Sequence, residues 1–174
     1  MDTENWDLTD ETGRPVGRSH PRGEPIPGGL YHVVASVCAV RSDGRVLLSQ
    51  RAASKDHPLD WEIPAGSVLA GESSVEGAIR ELCEEVGIDV SNDSTTFIGR
   101  FTEDSALFDL YAAPVASEAT VSPDAIEVAD TRWVTIAEFD EMFASGAMAA
   151  PWKPRMAAFR KRFGEVVNEL SPAR

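Results

Sequence analysis

The chain has 174 residues, the length of one ordinary domain, of which 43% are hydrophobic and 26% charged. It contains no run of 18 apolar residues, so the composition excludes both a membrane-spanning and a disordered protein. The net charge of -13 argues against binding to nucleic acid or anionic lipid, because phosphate backbones attract clustered Lys and Arg. We therefore expect a globular protein with neither nucleic-acid nor membrane partners.

The N-terminus and the cysteines predict the compartment. Residues 1–6 are acidic and lack the basic and apolar regions of a secretory signal, so we expect a cytoplasmic protein. Cys38 and Cys83 stand in apolar-periodic surroundings, which predicts reduced thiols in the core rather than a disulfide.

Turn formers and apolar runs divide the chain into short elements. The first 30 residues are rich in Gly, Pro and Asp, which predicts a hairpin followed by an extended arm. Alternating or continuous apolar runs predict the strands that follow. These are residues 31–40, 45–51, 61–63, 96–102, 106–112 and 129–134.

Three helices are predicted between and after the strands. Ser73 and Glu76 form a capping box, apolar residues recur at helical spacing, and Gly87 is a C-terminal stop, which together predict a helix over 74–86. A second helix is predicted from Thr135 to about residue 143, and a longer one over 152–169. The mixture predicts an α+β fold, with a mixed β-sheet sandwiched between α-helices.

Acidic residues concentrate in the middle of the chain, where residues 62–141 hold 18 acids and three bases. Glu81, Glu84 and Glu85 fall within an arc of about 100° on the first helix, beside its apolar stripe. We expect no basic residue on this face. Two interpretations are open, a solvated acidic surface or a site for a divalent cation.

The spacing around these glutamates resembles the Nudix box. The matching segment reads Gly66-x5-Glu72-x7-Arg80-Glu81-Leu82-x-Glu84-Glu85-x-Gly87-Ile88. With about 7% for each of seven fixed residues and about 150 starting points, the odds of a chance match are on the order of one in a million. The resemblance implies a single Nudix hydrolase domain over 1–174, with a hairpin and arm at 1–30 and the core at 31–174.

The resemblance also implies the reaction and its cofactor. Nudix hydrolases cleave a diphosphate linked to another moiety, often a nucleoside, using Mg²⁺ or Mn²⁺ held by the helix. Mg²⁺ takes hard oxygen ligands, so carboxylates together with substrate phosphate oxygens form a suitable shell. The implied partner is a small-molecule diphosphate, and a homodimer is compatible with the family.

Specific roles follow from the matching positions. The implied metal ligands are Glu81, Glu84 and Glu85, with a backbone carbonyl of Ala65 or Gly66, and Glu81 is also a candidate base.

Other residues are implied to support the reaction. Glu72 and Arg80 are implied to pair and to hold the loop against the helix, with Glu72 as a further candidate metal contact. A later loop supplies another catalytic acid in many family members, and Glu127 is our main candidate, ahead of Glu103 and Asp104.

Four basic residues are candidates for binding substrate phosphates. Arg51 and Lys55 lie just ahead of the box, and Arg18 and Arg22 lie on the arm. The alternative for each is an ordinary surface charge.

Two other functions are weighed. The first 32 residues are similar to the Nudix branch that includes isopentenyl diphosphate isomerase, but that branch has a catalytic Cys and a metal-binding His where this chain has Ala65 and Ser67. His32 matches a metal ligand there, yet its partner falls on Pro25, so we expect a hydrogen-bonded strand-start histidine. A nucleotide-binding domain without activity is the second alternative. The stretch 104–106 lacks the Pro or Tyr that marks some substrate classes, so the substrate stays open beyond its diphosphate.

Overall fold

The computed structural model describes residues 4–171 as two sheets and three helices. The strands are β1 Asn5–Thr9, β2 Pro15–Pro21, β3 His32–Arg41, β4 Val46–Arg51, β5 Trp61–Glu62, β6 Ala65–Ser67, β7 Thr96–Thr102, β8 Ala106–Val115 and β9 Val128–Val134. The helices are α1 Ser74–Val86, α2 Ile136–Ser145 and α3 Trp152–Leu170.

A mixed sheet of seven strands forms the centre, with β3 at its middle. β3 pairs in parallel with β8 over its whole length and antiparallel with β6 and β4. β4 carries β5 and β9, and β7 closes the other edge beside β8. The hairpin β1–β2 forms a separate two-stranded sheet.

Both faces of β3 are buried, which explains its near-continuous apolar sequence. Ala35, Val37 and Ala39 pack with α1 on one face, whereas Cys38 and Val40 pack on the other with residues of α2 and α3. The predicted α+β fold is therefore confirmed, with the sheet between α1 and the α2–α3 pair.

The predicted hairpin and all three helices are present, with ends that differ by one or two residues. β8 runs to Val115, past the predicted end at residue 112. Its extension contains Pro114, which lies beyond the last residue paired with β7 and therefore loses no hydrogen bond to that strand. β6 was not predicted, because three residues after a proline carry no strand pattern of their own.

One core prediction is wrong. Cys38 is buried as expected, and burial raises the pKa of its thiol, but Cys83 is exposed because it lies on α1 beside the stripe of Ala78, Leu82 and Val86. Both cysteines are free. Within the described range 4–171, no helix is long and apolar enough to cross a membrane.

Candidate active site

A cleft of about 880 Å³ opens where α1 faces the short strand β6. Two further segments complete its wall, the loop after β4 and the loop before β9, and the N-terminal arm reaches its rim. The cleft thus combines residues of the box motif with residues from distant segments, and the fold brings most of the predicted site residues together.

Helix α1 aims three carboxylates at this cleft. The capping box of Ser73 and Glu76 begins the helix, and Gly87 ends it in the left-handed conformation with φ of 70°. With the apolar stripe fixed against the sheet, Glu81, Glu84 and Glu85 all line the cleft. Their side chains differ in exposure, from an exposed Glu84 to a buried Glu85.

Glu85 is the most unusual of the three, since only 7% of its surface is exposed. Burial raises its pKa well above the ordinary value, and the nearby carboxylates of Glu62, Glu81 and Glu127 raise it further, while Lys55 opposes the rise. No hydrogen bond to its side chain is found within residues 4–171. Glu85 is thus a buried acid without a donor, in a neighbourhood of other acids.

Arg80 connects the box loop to the helix. Its guanidinium donates to both carboxylate oxygens of Glu72, at 2.7 and 3.0 Å, and to the carbonyl of Ser67 at 3.0 Å. These hydrogen bonds lower the pKa of Glu72. The Glu72–Arg80 pair expected from the sequence is confirmed, while its functional role stays a prediction.

The expectation that no base lies on the carboxylate face is wrong. Arg80 Nη1 also donates to Glu81 at 2.8 Å and to Glu84 at 2.9 Å, the latter across an i,i+4 spacing. Burial raises the pKa of Glu81, although the bond from Arg80 opposes this rise. In this arrangement Arg80 forms ion pairs with two of the three glutamates. Within residues 4–171 no three acidic, His or Cys side chains converge as a ready metal cluster.

Gly66 allows β6 to approach the helix closely. A Cβ atom at this position would lie 2.0 Å from Cδ of Glu81, so any side chain would displace the carboxylate. The backbone just before β6 is held by Ser36 of β3, whose hydroxyl donates to the carbonyl of Pro64 at 2.7 Å. Ala65 and Gly66 both line the cleft, as a role in metal binding requires.

Of the four basic candidates for the substrate phosphates, Arg22, Arg51 and Lys55 line the cleft and Arg18 does not. Arg51 and Lys55 both have carboxylate partners. Arg51 Nη1 donates to Glu62 at 2.7 Å, and Lys55 Nζ donates to Glu127 at 2.9 Å. Glu62 was not predicted as a site residue; it is a buried acid between Trp61 and Ile63, and burial raises its pKa. Its only sequence signal is a charged residue inside an apolar strand.

Of the three later acids predicted as catalytic candidates, only Glu127 lines the cleft. Glu127 lines the cleft together with Asp124, which was not predicted. Glu103 does not line it, since Arg155 binds both of its carboxylate oxygens at 2.7 and 3.0 Å. Asp104 is exposed on the turn before β8.

His32 has a hydrogen-bond partner at the start of β3, as the sequence predicts. Its ring stacks on Trp6 with the centroids 4.2 Å apart, and Nδ1 lies 3.2 Å from the carbonyl oxygen of Ser105. It does not line the cleft.

The comparisons agree with this fold. Residues 30–162 match the model of the NUDIX domain family. An uncharacterized Nudix hydrolase of Listeria monocytogenes is 36% identical over 148 residues, covering 82% of this chain and 86% of the relative. An isopentenyl-diphosphate Delta-isomerase of Streptomyces avermitilis is 33% identical over 172 residues, covering 93% and 86%. The crystal structure of DR0079 from Deinococcus radiodurans has the same fold, with a TM-score of 0.68, 24% identity and coverage of 84% of this chain and 92% of that one.

These matches place the chain in a known class of enzyme. The chain belongs to the Nudix hydrolase family, and it is a pyrophosphohydrolase.

Proposed function

We propose that this enzyme hydrolyses, with Mg²⁺, the diphosphate linkage of a nucleoside diphosphate joined to another moiety. The observation that carries the proposal is Glu85, a buried carboxylate that lines the cleft without a hydrogen-bond donor and among other acids. An uncompensated buried charge is costly, and a divalent cation would supply the missing positive charge.

The donor set suits Mg²⁺ better than a softer metal. Glu81, Glu84 and Glu85 offer only oxygen atoms, as do the carbonyls of Ala65 and Gly66. When bound, Mg²⁺ would neutralise the diphosphate and lower the pKa of an attacking water.

The chain's own residues would hold this arrangement. Arg80 is assigned to keep Glu72 and the carbonyl of Ser67 against the helix, so that β6 stays opposite the glutamates. Glu127 is assigned as the additional acid, and Arg51 and Lys55 as contacts for the substrate phosphates. Lys55 is the more available of the two, because releasing Arg51 would leave the buried Glu62 unpaired.

The proposal is tested by assaying product release with Mg²⁺ across a panel of diphosphate compounds. The panel contains nucleoside triphosphates, nucleotide sugars, ADP-ribose, dinucleoside polyphosphates and isopentenyl diphosphate. Cleavage that is lost in Glu85→Gln but retained in Glu141→Gln, an exposed glutamate on α2, would support the assignment. Metal-independent cleavage, or cleavage unaffected by Glu85→Gln, would contradict it.

We expect millimolar Mg²⁺ to raise the melting temperature of the substrate-free protein. A ligand that binds only the folded state stabilises it by RT ln(1 + [L]/Kd), which is about 2.7 kcal/mol at a hundredfold excess over Kd. Thermal melts in Mg²⁺ and in EDTA measure the shift. The Glu84→Gln/Glu85→Gln double variant is the control, and an equal shift in that variant would place the ion elsewhere.

An isomerase is the second candidate, because named isomerases are among the relatives. The residues of this chain oppose it, since Ala65 and Ser67 occupy the loop positions that the resemblance assigns to Cys and His. Cys38 is buried in the core, and Cys83 is exposed but does not line the cleft.

We therefore expect Cys38→Ser and Cys83→Ser to leave turnover within about twofold of the unsubstituted enzyme, since neither thiol reaches the cleft. Initial rates on the substrate found in the panel measure this. A loss of tenfold or more in Cys83→Ser, with an unchanged melting temperature, would restore thiol chemistry as an explanation.

A further inference from the structure

The N-terminal arm, defined here by its described residues 4–30, contributes two side chains to the rim of the cleft. These are Glu4 and Arg22, which lie next to each other across the β1–β2 hairpin. Arg22 Nη1 donates to Glu4 Oε2 at 2.5 Å, and 57% and 49% of the two side chains are exposed. The arm therefore adds a fourth basic side chain to a cleft that Arg51, Lys55 and Arg80 also line.

The position of this pair is fixed by the docking of the arm. The N–H of Ala70 donates to the carbonyl of Asn5, and the N–H of Gly71 donates to the carboxylate of Asp7, both at 2.8 Å. Trp6 and Leu8, which lie on strand β1 of the arm, are buried. The arm is thus attached to the loop that leads into α1, and this attachment holds Arg22 at the rim of the cleft.

The other basic residues that line the cleft already bind carboxylates of the cleft or of its wall. Arg80 binds three carboxylates and a carbonyl, and Arg51 binds the buried Glu62. Lys55, assigned above to the substrate, pairs with Glu127. An exposed ion pair such as Arg22–Glu4 has little net stability, so an anionic ligand separates it easily.

We propose that Arg22 binds the phosphates of the substrate from the arm, and that Glu4 is its partner when no substrate is bound. The proposal rests on the function proposed above, because it assumes a diphosphate in this cleft. Binding exchanges one carboxylate partner of Arg22 for phosphate oxygens, which its planar guanidinium can bind in pairs. Arg22 is thereby a binding residue for substrate and takes no part in the chemical step.

The test compares Arg22→Gln with Arg18→Gln, which removes the same charge from the same arm. Arg18 is exposed on β2 and does not line the cleft. Arg22→Gln is expected to raise KM at least about fivefold with kcat within twofold, while Arg18→Gln changes neither by more than about twofold. Arg22→Lys should restore part of the loss, and melting temperatures check that the arm stays docked.

Two further measurements separate binding from structure. Glu4→Gln should lower KM about twofold or more, because it frees Arg22. The affinity for methylenediphosphonate, a diphosphate analogue whose P–C–P bridge is not hydrolysed, should fall in Arg22→Gln but not in Arg18→Gln when measured by calorimetry with Mg²⁺. Equal effects of the two arginine variants, or a fall in kcat at unchanged KM, would overturn the proposal.

Failure of this inference is distinguishable from failure of the proposed function. If the unsubstituted enzyme cleaves a panel compound in a Glu85-dependent way while Arg22→Gln behaves like Arg18→Gln, only the role of Arg22 is wrong. If no compound is cleaved and methylenediphosphonate does not bind, the proposed function itself is wrong.

Discussion

Glu85→Gln is expected to lower the rate of diphosphate hydrolysis at saturating Mg²⁺ by at least about tenfold. The substitution keeps the size of the side chain but removes the buried charge that the cation is proposed to bind. Glu84→Gln should lose at least about tenfold as well, because it removes a ligand from the same face. Initial rates with the substrate identified in the panel provide the measurement.

The control for both variants is Glu141→Gln, which removes one negative charge from an exposed position on α2. It should stay within about twofold of the unsubstituted rate, as surface substitutions usually do. Rates near the unsubstituted value in both Glu84→Gln and Glu85→Gln would remove this face of α1 from the active site.

Without metal, Glu85→Gln should gain melting temperature relative to the unsubstituted protein as the pH rises, although it loses activity. Burial raises the pKa of Glu85 above its ordinary 4.5, with Glu62, Glu81 and Glu127 adding to the rise. A carboxyl whose pKa is higher in the folded chain contributes most to the free energy of unfolding below the ordinary value. That contribution is lost as the pH rises through the raised pKa.

In EDTA, the melting temperature of the unsubstituted protein should therefore fall relative to that of Glu85→Gln as the pH rises from about 5 to 8. Groups that do not interact with Glu85 cancel in this difference, so it reports the titration of Glu85 and the carboxylates coupled to it. A difference that stays constant across this range would mean that the folded protein does not shift the titration of Glu85.

The helix that carries the site is predictable from the sequence because its signals are local. Ser73, Glu76 and Gly87 define the ends of α1 within 15 residues, and its apolar spacing defines the buried face. The face toward the cleft follows from those two facts. The pair of Glu72 and Arg80 follows from the family motif, since the sequence alone does not say that the loop folds back onto the helix.

The pairing of charges in the cleft is less predictable, because it depends on which segments meet in the fold. Arg51 meets Glu62 only because β4 and β5 are adjacent, and Lys55 meets Glu127 across 72 positions of sequence. The contact of Arg80 with Glu84 does have a sequence signal, their i,i+4 spacing. Its contact with Glu81 requires the same side chain to bridge two acids, which no spacing rule predicts.

The strand β6 shows the same limit for the backbone. Ala65–Ser67 is a strand only because it pairs with the first half of β3, which β4 does not pair with. Its three residues have no alternation to detect. Yet this segment positions Gly66 against Glu81. β6 therefore could not be predicted from its own residues, because its strand conformation depends on tertiary pairing with β3.

Arg100→Met is expected to lower the free energy of unfolding by roughly 3 kcal/mol, because it leaves a buried charge without its main partner. Arg100 donates to both carboxylate oxygens of Asp109, at 2.6 and 2.7 Å, and the Asp109 side chain is 2% exposed. Asp109 also accepts from the hydroxyl of Ser74, the first residue of α1, and Arg100 donates to the carbonyl of Thr12 on the arm. The pair thus joins the sheet to the beginning of the helix and to the arm.

Arg160→Met is a matched comparison, because Arg160 binds Asp140 through two hydrogen bonds of similar length at the surface. That substitution should cost less than about 1 kcal/mol, since solvent screens an exposed pair. Urea unfolding measures both values, and the melting temperature of Arg100→Met should fall by roughly 6 to 12 °C. Removing both charges of the pair in Arg100→Met/Asp109→Leu should recover much of the loss, because no unpaired carboxylate is left inside. Equal losses in the two single variants would mean that the burial of Asp109 does not determine the contribution of this pair.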